Sequence, residues 1–365
     1  MPRRQLHIDA MKVMASNLIV LHHLSVYGPL AEALDLWAPR STHWFFGYAR
    51  MAVQVFLVIG GYFAARTLAP RGSFPHTRPW RLLAQRFVRL VQPLAIALLL
   101  VGLSSALSQP WLEADFVPTE PSLSQVLAHL TLLNSILGVE PLSIGLWYVA
   151  IDFQLFATLA LVLWFGRAYA RWAVLLLASA SLFYFNLKAG GDDWAPYFFG
   201  SYAMGVMAWW AGHARHTVKW LAALTLLVGL ALAWDFRLRI AIALGTALVL
   251  GLSHWMQHEA SRTTQLRARW SALLRALGGS AYALFLTHFA VIILANALWV
   301  HLEWTFPAAA AVVALLAWLM CVAGGLLFAR FVERPLTGVH AGAALWHHLA
   351  LRDAMLVRMW RSYFP

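Results

Sequence analysis

The chain has 365 residues, of which 61% are hydrophobic and only 12% charged, with 19 Trp. A soluble domain of this length needs far more polar surface to cover its core, so the composition excludes one and points to an integral membrane protein. The formal net charge of +12 does not indicate nucleic acid, because the arginines lie in short segments between apolar runs rather than in one basic domain. They read as topology signals and as contacts to anionic membrane lipids.

An apolar helix needs about 20 residues to cross about 30 Å of hydrocarbon. Such runs recur at 8–30, 49–68, 90–108, 146–166, 172–187, 194–212, 219–234, 240–256, 278–300 and 307–329. A helix satisfies its own backbone polar groups in lipid, so the pattern predicts an all-α bundle of about ten transmembrane helices. The first run is too long for a signal-peptide core and lacks a small-residue cleavage site, so no cleavable signal is expected. Residues 123–137 are too few and too polar to span and read as a half-helix or interfacial segment.

Ten spans with a cytoplasmic N-terminus put 21 Lys and Arg on the cytoplasmic side and five (Arg40, Arg50, Lys188, Arg237, Arg239) on the far side. Lys12 lies inside the first span. This asymmetry predicts that both termini are cytoplasmic; an eleventh span at 123–137 would scatter the later arginines. Residues 1–336 then form the transmembrane domain. Residues 337–365, mixing Trp346, Leu349, Met355 and Trp360 with Arg352, Arg358 and Arg361, read as an amphipathic tail on the inner leaflet. The single cysteine, Cys321, offers neither an intrachain disulfide nor a metal cluster and reads as a small core residue. No metal is expected.

Ionisable residues inside spans are expensive and are functional candidates by default. In the first span Asp9 and Lys12 are three apart and can pair. His23 follows Lys12 by eleven residues, which puts it on the same face and about 16 Å away, while His22 points about 80° aside. A satisfied core histidine is the competing reading. Arg86 and Arg89 open the third span, either as topology anchors or as a guanidinium pair for phosphates. Asp152 and Gln154 lie within the fourth span, where a carboxylate needs a partner or a wet cavity. Tyr282 and His288 stand six apart on different faces of a late span, and Glu333-Arg334-Pro335 reads as a helix-ending ion pair and proline.

Six segments in order resemble the membrane-bound acyltransferase-3 family over essentially the whole chain. They are Asp9, Lys12 and His23 at the family's spacing, Gly60-Gly61-Tyr62, and Arg86-x-x-Arg89 followed by Pro93. The others are Leu146-Trp147 through Asp152 and Gln154, Ser280 through His288, and Val332 to Pro335. Lys12 stands where the family usually has Arg, Asp152 where it has Glu, and Gln54 where many members have Asp.

The resemblance implies transfer of an acetyl or other acyl group from cytoplasmic acetyl-CoA to a hydroxyl of a glycan. An exopolysaccharide or its lipid-linked precursor is favoured, made beside polysaccharide biosynthesis machinery in a bacterial-type inner membrane. His23 would be the base or the acyl-carrying nucleophile, with Asp9, Lys12 and Asp152 in the catalytic set. Arg86, Arg89 and Lys12 would face the CoA phosphates, and Trp147, Gln154, Tyr282 and His288 the acceptor. A transporter or flippase of a lipid-linked saccharide is the alternative, and a scaffold subunit of a polysaccharide synthase a third. The scaffold gives no reason for the His23 stripe, and no internal repeat supports the transporter.

Overall fold

The first apolar run is broken where the sequence supplies Gly28-Pro29. Helix α1 (Leu6–Leu24) ends before Gly28, whose φ of 83° is open to glycine. Pro29 then opens α2 (Pro29–Trp37) and Pro39 opens α3 (Pro39–Tyr48), proline being suited to a first helical turn. Asn296 staples this corner: its side-chain carbonyl accepts from Leu30 N–H at 2.9 Å and its amide donates to the Tyr27 carbonyl at 3.1 Å. The expected span at 8–30 is therefore a shorter helix and a turn.

This computed structural model describes residues 6–73, 79–113, 115–117, 121–256, 266–304 and 306–336, so the tail expected at 337–365 lies outside the described residues. After α3 a 3-10 turn leads into α4 (Val53–Leu68). Then come α5 (Pro79–Ser108), with Pro93 inside it, and the short α6 (Leu123–Leu130), capped by the Ser122 hydroxyl. The next four helices are α7 (Leu146–Gly166), α8 (Ala170–Phe183), α9 (Ala195–Gly212) and α10 (Thr217–Trp234). The last four are α11 (Leu238–Met256), α12 (Leu266–Gly279), α13 (Ala281–His301) and α14 (Pro307–Phe328), the last running into a π turn at Ala329–Glu333. No strand occurs among the described residues.

Six stretches of the described chain are long and apolar enough to cross a membrane: 39–68, 79–108, 146–187, 217–234, 281–301 and 308–336. The protein is thus a multi-pass membrane protein. Of the ten runs read from hydropathy, those in α1, α9 and α11 fall outside this set. Helix α1 carries Asp9, Lys12, His22 and His23, and α9 has 14 of its 18 residues buried against other helices. A helix walled in by its neighbours has no need of a uniformly apolar surface, because little of it meets lipid.

Helices α4 and α9 meet backbone to backbone. A methyl group on Gly205 would collide with the Val58 carbonyl, and one on Gly61 with the Tyr202 carbonyl. Small residues permit this approach, which in lipid replaces hydrophobic burial as the source of association. Gly205→Ala is expected to overpack the crossing by about 1–3 kcal/mol and lower the melting temperature of the detergent-purified protein. Gly229→Ala, where an added methyl meets open space, should not lower it. Equal melting of wild type and Gly205→Ala would remove this crossing as a determinant of stability.

Candidate active site

Two cavities share one wall. The first, of about 550 Å³, is lined by Lys12 of α1, Arg66 of α4, Arg86 and Arg89 of α5, Asp152 of α7 and Glu333 of the π turn. Asp152 receives the partner that a carboxylate in a span requires: Arg86 Nη2 lies 2.5 Å from its Oδ2, and the same guanidinium stands 5.5 Å from the Phe156 ring centroid. Gly60 borders this pair; a methyl there would press on the Tyr202 ring at 3.2 Å and sit at ordinary contact distance, 3.5 Å, from Asp152 Oδ1. Glu333 feels the charges of Arg89, Arg334 and Lys12. Lys12 also lies 5.3 Å from the Phe63 ring centroid. Asp9 is buried behind this cavity against Gly278, and its Oδ2 has no hydrogen-bond partner among the described residues.

The second cavity, of about 490 Å³, is lined by His22 and His23 at the other end of α1, with Arg50, Gln54, Trp147 and Arg239. Its chemistry follows from which atoms can donate. A carbonyl oxygen only accepts, so His288 Nδ1–H donates to the carbonyls of Phe285 at 2.7 Å and Leu284 at 3.2 Å. In the neutral ring Nε2 of His288 is then an acceptor, and it stands 2.8 Å from His23 Nδ1, which must supply the proton. The two rings are near parallel, 5.0 Å apart. That leaves Nε2 as the lone-pair nitrogen of His23, a residue that lines the cavity. That arrangement suits a general base.

Phe285 lines both cavities, and the Tyr148 ring lies 5.4 Å from it. These two aromatics were not singled out in the sequence, where a ring in an apolar helix looks like packing. Glu333 was missed as a cavity residue for another reason. The five-residue π turn, a feature common at functional sites, re-aims a side chain that an unbroken α-helix would place elsewhere.

The other candidates fall as follows. Arg86 spends Nη2 on Asp152 Oδ2, so part of its guanidinium is taken by that carboxylate, while its Nε has no hydrogen-bond partner among the described residues; both residues still line the first cavity. Gln154 lines neither cavity: its amide donates to Ser135 Oγ at 3.2 Å and its carbonyl accepts from Ala195 N–H at 3.3 Å, tying α7 to the start of α9. Tyr282 lines the first cavity, not the one with His23, and its hydroxyl donates to the Leu90 carbonyl at 3.0 Å, in the turn disturbed by Pro93. His22, despite pointing aside from His23 on α1, borders the same cavity, and its Nδ1–H donates to the Phe45 carbonyl at 3.0 Å. Trp147 stays with the second cavity, stacked on Phe198 at 5.7 Å.

A family model described as an acyltransferase domain matches residues 6–328. No curated protein and no solved structure matches the chain.

Proposed function

The chain belongs to the acyltransferase-3 family, and on that premise we propose that it moves an acetyl group from acetyl-CoA to a hydroxyl of a glycan, an exopolysaccharide or its lipid-linked precursor. The carrying observation is His23, which lines one cavity with its Nδ1 engaged by His288 and its Nε2 left over, while a basic cavity lies behind a two-ring wall. In this reading ten spans put both termini and the arginine-lined cavity at the cytoplasmic face of a bacterial-type inner membrane. Acetyl-CoA would enter there, with Arg89 and Lys12 near its phosphates. The thioester would pass the Phe285–Tyr148 wall toward His23, and the glycan would come from the opposite side.

His23 Nε2 takes the proton of the acceptor hydroxyl as its oxygen attacks the thioester carbonyl. The carbon–sulfur bond then breaks, and the proton passes from the imidazolium to the departing thiolate. His288 acts through His23: it fixes the tautomer and so is a positioning residue.

Purified protein in nanodiscs, given labelled acetyl-CoA and oligosaccharide acceptors, should yield labelled O-acetyl ester. Absence of label on any acceptor, with protein-dependent passage of a lipid-linked saccharide across vesicles, would assign the protein to transport. Arg89→Ala should raise the acetyl-CoA Kd at least about tenfold, since a charge-assisted contact is worth about 1.5–3 kcal/mol. Unchanged affinity would make Arg89 a topology anchor only.

A further inference from the structure

Of the five basic residues that charge counting puts on the far side, three (Arg50, Arg237 and Arg239) line the histidine cavity. Topology does not explain them there, because orientation is set by basic residues on the opposite side. Arg237 has a structural use. It donates through Nη1 to the Leu182 carbonyl and Asn186 Oδ1, both at 2.9 Å, and through Nη2 to the Ala231 carbonyl at 3.2 Å, and it pairs with Asp235 at 3.2 Å. It cross-ties α8, α10 and the start of α11 and has little left to offer a ligand.

The other two arginines differ. Arg239 spends Nη2 on the backbone and side-chain oxygens of Asn186, at 3.0 and 3.3 Å, and lies 4.9 Å from the Tyr197 ring centroid. Among the described residues its Nη1 makes no hydrogen bond and it has no carboxylate partner. Arg50 is exposed and makes no hydrogen bond or ion pair among the described residues, and its charge reaches His22. Asp192 is the one carboxylate among the residues that line this cavity, and it does not balance both. The cost of lacking a counter-ion falls on Arg239, whose Nε is buried with no hydrogen-bond partner among the described residues, while exposed Arg50 adds a second cation beside it; a bound anion supplies the counter-charge through paired N–H donors.

We propose that the histidine cavity takes an anionic acceptor: a saccharide bearing a carboxylate or a phosphate, its negative group held by Arg239 and Arg50 while a hydroxyl of the same molecule reaches His23. Only the hydroxyl's role rests on the acyl-transfer reading; the anion site does not.

The test is calorimetric binding to the protein in nanodiscs, without acetyl-CoA. The probes are a tetrasaccharide with one glucuronate, its carboxyl-reduced counterpart, and the same neutral tetrasaccharide carrying one phosphate. At least one charged form should bind about tenfold or more tightly than the neutral one, and which does so identifies carboxylate or phosphate as the anion. Arg50→Gln and Arg239→Gln should each reduce that preference severalfold. Arg40→Gln, a far-side arginine that lines neither cavity, should leave it intact. Arg50 makes no hydrogen bond or ion pair among the described residues, so its variant reads out even where Arg239→Gln impairs folding. Equal binding of charged and neutral forms, no binding of either, or a preference that survives Arg50→Gln overturns the proposal. A preference that persists while no labelled acetyl is transferred leaves the anion site standing and removes the acyltransferase reading instead.

Discussion

His23→Ala is expected to lower acyl transfer by about 10²–10⁴-fold, the usual contribution of a positioned general base, with acetyl-CoA affinity unchanged. The separation of the two effects follows from geometry. Lys12 and His23 are eleven residues apart on one helix, about 16 Å along its axis, and line different cavities. His288→Ala should cost less and leave measurable turnover: His23 Nδ1 loses its acceptor at 2.8 Å, and the ring then divides its proton between two tautomers, of which one is productive. A positioning role predicts a fall in kcat without a rise in the acetyl-CoA KM. His22→Ala should cost least. That ranking cannot come from the helical wheel, since both histidines border the cavity. It comes from the His288 imidazole, which of these two histidines bonds His23 and not His22, while His22 holds the Phe45 carbonyl. A loss at His22 equal to or larger than that at His23 would transfer the base role to His22. Complete loss at His288 with normal acetyl-CoA binding would make it more than a positioning residue.

The helical character and membrane setting were legible because the signal is repetitive: apolar runs of about 20 residues are hard to produce in any other way. The separation of Lys12 from His23 follows from the fixed rise of one helix, whereas the break at Gly28-Pro29 within the run 8–30 was not anticipated. Partnerships between helices were not. Asp152 visibly needed a partner, but Arg86 stands 66 residues earlier, and nothing local distinguishes it from Arg89 three positions on. The hydrogen bond from His23 to His288 spans 265 positions, so the most informative contact of the site lay between two motifs that were each read alone. Gln154 shows the reverse error. Its place in a span suggested ligand binding, whereas its two bonds tie α7 to neighbouring backbone and side chain. The arginines counted on the far side were read for topology but not for use, because their convergence depends on how the 3-10 turn before α4 and the start of α11 meet around the cavity.

The largest stability effect is expected at Arg86 and Asp152. The carboxylate of Asp152 is 6% exposed as a residue, and Arg86 Nη2 meets it at 2.5 Å. Removing one partner of such a pair strands a charge where hydration is poor, at a cost of about 3–5 kcal/mol. Arg86→Met and Asp152→Leu should therefore each lower the melting temperature of the purified protein sharply. The double variant, apolar on both sides, should recover most of the loss, because the penalty belongs to the unpaired charge rather than to the missing attraction. The same cycle tests the division of labour in the arginine-lined cavity. In the proposed reading, with Arg86 Nη2 held by Asp152, phosphate contact falls chiefly to Arg89 and Lys12, so the double variant should keep acetyl-CoA affinity within about threefold, whereas Arg89→Ala loses about tenfold. Additive destabilisation with no recovery would mean that the two residues do not act as a pair. A double variant that is stable yet has lost acetyl-CoA binding would return Arg86 to the phosphate site, where its spacing from Arg89 in the sequence had placed it.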